Sequence, residues 1–299
     1  MSEERELRIS FISKKEYDCP VCDAVFRKEE LLSGGGRLIA GALTEELHRL
    51  FEPSSKYGEI YPLAYSAVVC PECWFASTEA DFPLFPAAQK GLAFSDRRRR
   101  MDDALMVFPG ADFSGPRGLM EGAASLYLTL RCYDFYGKAA SPTIKRGVAA
   151  LRAAWLIDEL HGKFPGENYD WLALLFRKKA CYFYNEAIAR EQAATETMSA
   201  MKNFGPDLDK NYSYEGMLYL SAFLRYKYGP EPKGGAEERL ASLEEARRTV
   251  AKLFGMGKKS KDKPGPFLDL ARKVYDAINA DMEGIKAEAE EAGAARETA

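Results

Sequence analysis

Cys19-Pro20-Val21-Cys22 and Cys70-Pro71-Glu72-Cys73 are the stretches whose reading decides how this chain folds. Each places two thiols on one tight turn, and the proline after the first cysteine presets φ for that turn. Brought together, the two turns offer four soft sulfur ligands at the corners of a tetrahedron, the arrangement Zn²⁺ prefers in a closed structural site. A single pair would be weak evidence. Two pairs of the same CPxC form predict one shared ion held by Cys19, Cys22, Cys70 and Cys73.

Outward from these turns, composition narrows the class. The chain has 299 residues, enough for one large or two ordinary domains with a sizeable core. It is 46% hydrophobic and 29% charged with a net charge of -3, the balance of an ordinary globular protein without a global pull toward nucleic acid. The first 95 residues hold 10 Lys/Arg against 15 Asp/Glu, and a zinc tetrathiolate adds about -2. That end should repel phosphate backbones. The acidic start Met1-Ser2-Glu3-Glu4-Arg5-Glu6 lacks the apolar core of a secretory signal, and no run of apolar residues is long enough to span a membrane. Six cysteines without a secretory signal are better explained by metal than by disulfides, and the expected compartment is the cytoplasm.

The first 95 residues read as irregular and β-rich. Leu7, Ile9 and Phe11 alternate with polar neighbours, and Tyr65 to Val69 reads as a strand entering the second cysteine turn. Of the 47 residues between the turns, the part after Gly34-Gly35-Gly36 predicts a short helix capped by Thr44, with Leu47, Leu50 and Phe51 on one face. Ser95 or Asp96 caps a helix ending near Val107. From Pro116 onward, long amphipathic helices are expected at about 117–136, 142–161, 167–192, 211–228, 236–254 and 266–290. Ser141-Pro142 makes an N-cap and first helical position, while Gly162 and Gly229-Pro230 act as stops. Modest loops between helices imply antiparallel hairpins. Tyr219-Leu220-Ser221 with Leu224 and Tyr228, and Ala180, Tyr184 and Ala187, have a degenerate tetratricopeptide (TPR) spacing. The predicted fold is therefore mainly α. It has a zinc-ribbon-like α+β head at 1–95, an antiparallel TPR-like helical body at 96–280, and a frayed acidic tail at 281–299.

Cys-Pro-Val-Cys at 19–22, Tyr61-Pro62-Leu63, Val68-Val69-Cys70-Pro71-Glu72-Cys73-Trp74-Phe75-Ala76, Ala149 to Leu156 and Tyr182-Phe183-Tyr184-Asn185-Glu186-Ala187 together resemble the bacterial DUF2225 family. The resemblance runs through most of residues 10–255, with the cysteine motifs its most specific part. It implies a zinc-ribbon-like head on a helical, TPR-like body, and no particular reaction or ligand. Ribbon-type turns often carry Gly after the second cysteine, where Asp23 and Trp74 stand here. Trp tolerates positive φ poorly, which predicts strain or a different closure at the second turn.

The remaining chemistry-bearing residues have structural readings. CPxC turns also hold iron, so a rubredoxin-like iron site is the alternative to zinc. Thioredoxin-like chemistry needs a lone CxxC in a βαβ unit, a pattern absent here. Catalytic zinc keeps an open position with His or carboxylate ligands, and the chain has only His48 and His161. His161 suits a helix C-terminus and His48 the short predicted helix. Cys132 and Cys181 read as core thiols. Gly34-Gly35-Gly36-Arg37 lacks the Gly-Lys-Ser/Thr of a phosphate loop.

Arg97 to Arg100 read as a solvated helix face with Asp96, Asp102 and Asp103 nearby, or as a grip on a phosphate backbone or an acidic partner. Tyr219, Phe223 and Tyr226 share one helical face that can line either a core or a peptide groove. With no catalytic constellation, the functional expectation is a non-enzymatic zinc-stapled adaptor for a protein partner. Its candidate contacts are Tyr219, Phe223, Tyr226, Arg97 and Arg98. The alternatives are a zinc-ribbon nucleic-acid binder and a metal-dependent hydrolase.

Overall fold

The computed structural model describes residues 8–229, 235–256 and 265–297. The polypeptide between and around the cysteine turns forms three separate antiparallel hairpins: β1 (Ser10–Asp18) with β2 (Val25–Leu31), β3 (Ile39–Leu43) with β4 (Arg49–Glu52), and β5 (Ala67–Val69) with β6 (Ala76–Thr78). The cysteine turns are the tips of the first and third. In the first, Tyr17 faces Phe26 and Asp18 faces Val25 just before the turn; in the third, Val69 faces Ala76. β1 begins at Ser10 and leaves Phe11 and Ile12 exposed, burying Ser13 and Tyr17 instead; Leu7 lies outside the described residues. Pro62–Tyr65, expected in part as strand, is a short 3₁₀ turn.

The helix expected around Thr44 is instead the β3–β4 hairpin, and the reason lies in its loop. The Thr44 N–H donates to the His48 carbonyl, the Thr44 carbonyl accepts the Leu47 N–H, and its hydroxyl accepts the His48 N–H at 3.1 Å. Leu47 takes φ 58° and is fully buried, while the Arg49 guanidinium reaches back across the hairpin to the Gly41 carbonyl at 2.8 Å. The helical spacing of Leu47, Leu50 and Phe51 is thus coincidental.

Apart from a short helix at 90–95 that was not expected, the helices follow the sequence reading closely. They are α1 (Lys90–Ser95), α2 (Arg97–Val107), α3 (Leu119–Cys132), α4 (Pro142–Lys163), α5 (Tyr169–Gln192), α6 (Ser213–Tyr228), α7 (Ala236–Met256) and α8 (Gly265–Glu297). α4 runs one residue past Gly162. α8 continues to Glu297 through the stretch read as a fraying tail. Pro142 is the first residue of α4, but Ser141 does not cap it. Its hydroxyl donates to the Thr197 carbonyl at 2.6 Å and accepts the Ala200 N–H, tying down the loop after α5.

The chain divides near residue 205, not at 95. One compact unit runs through Lys202 and includes Pro206–Lys210; the other comprises Asn203–Gly205 and the chain from Asn211. In the first, the hairpins and α3–α5 are continuous. Tyr17, Phe75, Phe82 and Phe85 share one apolar cluster with Cys132, Tyr133 and Tyr136 from the end of α3 and the turn after it. α3 approaches the 3₁₀ turn so closely that a Cβ on Gly122 would lie 2.6 Å from Ala64 Cβ. A buried Lys145–Asp81 ion pair (2.7 Å), with Tyr133 donating to Asp81 at 2.6 Å, links α4 to the segment after β6. A head that shares its core with helices is not a separable domain.

In the second unit α6, α7 and α8 pack together. Tyr219 is 0% exposed and stacks on Phe223 and edge-on to Phe267; Phe223 and Tyr226 are likewise buried. These three aromatics are core residues and leave no groove face, because α7 and α8 cover the stripe the helical spacing had marked.

Candidate metal centre

Both cysteine turns close with the same backbone pattern. In the first, Asp23 N–H donates to the Cys19 carbonyl (3.0 Å) and Cys19 N–H to Ala24 (2.9 Å). In the second, Trp74 N–H donates to Cys70 (2.9 Å) and Cys70 N–H to Phe75 (2.9 Å). The residue after each second cysteine sits at positive φ, 63° for Asp23 and 55° for Trp74. The different closure expected for the second turn is absent. Trp74 is held in the unfavourable region by its surroundings: its ring packs edge-on to Phe113 at 5.0 Å, and its carbonyl accepts a bond from Arg100.

Across the two tips the sulfurs meet in pairs, Cys19 with Cys73 and Cys22 with Cys70, each at 3.6 Å, and all four lie within 4.8 Å of one another. Four sulfurs at a Zn–S distance of 2.3 Å sit about 3.8 Å apart, so the donor set has the size of a ZnS₄ tetrahedron. All six cysteines are free thiols, and 3.6 Å is far beyond the roughly 2.05 Å of a disulfide. The side chains present therefore fit a tetrahedral thiophilic ion.

The electrostatics suit a divalent charge at the centre. Four thiols at this separation cannot all ionise unaided. The closeness of Cys70 and then of Cys73 holds the Cys19 thiol well below its ordinary value. Cys19, once ionised, in turn raises Cys70 and Cys73 above the ordinary thiol value. A divalent cation at the centre would stabilise all four as thiolates.

Arg100 is the residue that the sequence reading missed. It is 0% exposed. Its guanidinium donates to the carbonyls of Cys73 (2.7 Å), Trp74 (3.2 Å) and Ala93 (3.2 Å) and to Asp96 (3.2 Å). Far from a solvated face, this arginine clamps the second cysteine turn to α1 and α2. The only cue in the sequence is Ala104, one turn on along the same side of α2 and also buried. The other arginines behave as expected: Arg97 lies over the Phe94 ring at 4.0 Å, while Arg98 and Arg99 face Asp102 and Asp103 at 3.7 Å from exposed positions.

Cys132 packs beneath the site and accepts the Ala76 N–H at 3.4 Å; burial raises its thiol to about 11, so it stays protonated. Cys181 is buried in α5. Neither histidine approaches the sulfurs. His48 binds Asp207, and the Nδ1 of His161 makes no hydrogen bond, so it does not cap a carbonyl.

The sequence model of a family described as an uncharacterized protein conserved in bacteria (DUF2225) matches residues 12–278, a span holding all four clustered cysteines. This chain belongs to that family. An uncharacterized protein of Borreliella burgdorferi is similar to it, with 40% identity over 279 residues, covering 93% of this chain and 99% of the relative. No solved structure matches. Among the described residues, no helix is long and apolar enough to cross a membrane.

Proposed function

We propose that this protein is a non-enzymatic adaptor whose ribbon-like hairpin tips are stapled by one structural Zn²⁺ and whose TPR-like helices dock a protein partner. The observation that carries the metal half is the spacing of the four sulfurs, 3.6 Å between partners across two hairpin tips. Cys19, Cys22, Cys70 and Cys73 would complete a tetrahedral shell and leave no position for a substrate or water, which favours a structural over a hydrolytic ion. All-sulfur ligation suits iron as the second choice.

The partner surface in this reading shifts from the buried α6 aromatics to α5. Trp171 is 60% and Tyr182 59% exposed, eleven residues or three turns apart, with Leu174 also exposed on that side. Large exposed aromatics on a rigid helix are the groups that anchor protein interfaces. The nucleic-acid reading loses support, since Arg100 is spent internally and Arg98 and Arg99 face aspartates.

Elemental analysis of the purified chain should find about one zinc per molecule, lost in Cys73→Ser. Affinity purification from the native cell should recover a partner that Trp171→Ala/Tyr182→Ala no longer retains. A metal content near zero sinks the first half, and unchanged recovery by the double variant sinks the second.

A further inference from the structure

A pocket of about 230 Å³ opens between the β3–β4 hairpin, residues 59–63 and α4, with His48, Phe51, Tyr61, Leu63, Trp155 and Glu159 among its walls. It belongs to the first compact unit, involves none of the four cysteines, and is independent of the adaptor reading. Its polar groups are organised. His48 Nδ1 donates to buried Asp207 at 2.5 Å, and Asp207 also accepts the backbone N–H groups of Arg49 (2.7 Å) and Leu208 (2.6 Å). The imidazole stacks on Trp155 with centroids 4.1 Å apart and planes 12° from parallel. Trp155 in turn donates to Glu46 at 2.5 Å, and Glu46 is held by Arg177. The ring is thus locked, and in its neutral form Nε2 remains an acceptor.

The cations at the rim are all committed. Lys163 pairs with Glu59 at 2.6 Å, and Arg49 bonds Asp209 and the Gly41 carbonyl. The Glu159 carboxyl, by contrast, makes no hydrogen bond or ion pair among the described residues, and only longer-range attraction from His48 and Lys163 reaches it. We propose that this pocket binds a guanidinium or alkylammonium group carried on a short apolar stem, with Glu159 and His48 Nε2 accepting its N–H groups and the Phe51, Leu63 and Trp155 side chains flanking the stem. Burial, and then the neighbouring Glu59, raises the pKa of Glu159, so a cation beside it would be favoured. The volume is below the roughly 300–1,000 Å³ of sites for whole drug-sized ligands, which suits a single side chain or a compact amine.

Calorimetric titration of the full chain with butylguanidinium, butylammonium, butyrate and the capped peptide acetyl-Gly-Arg-Gly-amide tests this. Both cations should bind and butyrate should not, while Glu159→Gln weakens the cations roughly ten- to hundredfold, the loss of one charge-assisted bond, at an unchanged unfolding midpoint. Should that variant fold poorly, cation-induced shifts of the His48 ring resonances in the wild-type chain give an independent readout. Tighter binding of the peptide than of butylguanidinium assigns the occupant to a partner's basic side chain; the reverse assigns it to a small amine. Equal affinity in a folded Glu159→Gln, preference for butyrate, or neither heat nor His48 shift at millimolar cation overturns the proposal.

Discussion

Arg100→Ala should destabilise the first unit more than any other single change in the Arg97–Arg100 run. The native guanidinium serves the carbonyls of Cys73, Trp74 and Ala93 together with Asp96, all from a fully buried position. Truncation orphans three carbonyls at about 1–3 kcal/mol each, partly recovered by relaxation, and leaves Asp96 with only a 3.9 Å approach from Arg131. The expected net cost is about 3–5 kcal/mol, the usual range when one partner of a buried charged network is removed. By contrast, Arg98→Ala removes an exposed i,i+4 pair and should cost within about 0.5 kcal/mol. With a urea m-value near 2–3 kcal/mol/M, Arg100→Ala should lower the midpoint by roughly 1–2.5 M. Arg100→Lys should rescue little, because an ammonium cannot reproduce the planar fork that spans Cys73 and Trp74. The same variant should also release metal to a chelator faster than wild type, since the turn carrying Cys70 and Cys73 has lost its clamp. Midpoints indistinguishable between Arg100→Ala and Arg98→Ala, or a large destabilisation with unchanged metal release, would refute it.

Three further outcomes are expected. Cys19→Ser or Cys70→Ser should abolish metal binding, and because Cys132, Tyr133 and Tyr136 belong to the same core, limited proteolysis should expose sites near the end of α3 as well as in the hairpins. Cleavage confined to the hairpins would argue against a shared core. Gly122→Ala should cost about 1–3 kcal/mol by overpacking against Ala64 and Leu156, and Ala64→Gly should restore part of it; thermal melts of the two single variants and the double variant decide this. Finally, although burial works against it, the bonds from His48, Leu208 and Arg49 hold the Asp207 carboxyl below its usual value. A depressed folded pKa supplies stability above the unfolded value of about 3.9 that is lost as pH falls through the folded value. Asp207→Asn should therefore lower stability at pH 6–7 and converge with wild type in strong acid; parallel curves at all pH values would contradict the assignment.

Much of the helical architecture was legible because long amphipathic segments bounded by Pro and Gly depend on local spacing, and α3 to α7 lie within a few residues of their expected limits. The boundary at 95 was not legible, since nothing in the composition of Phe82–Phe85 reveals that these rings pack on Tyr136 fifty residues away. The β3–β4 hairpin was misread for a related reason: Leu47 satisfies a helical stripe equally well, and its buried place at positive φ depends on tertiary packing.

From sequence alone came the four cysteines of the cluster and the turns that carry them, because each CPxC pair is written in adjacent residues and needs no distant partner. Only the tertiary structure decided which charges and aromatics are internal: Arg100 beside the Cys73 carbonyl, His48 against Asp207 and Tyr219 under Phe267. A periodic pattern marks which residues share a side, but whether that side meets water, a carbonyl or another helix is set by segments far along the chain.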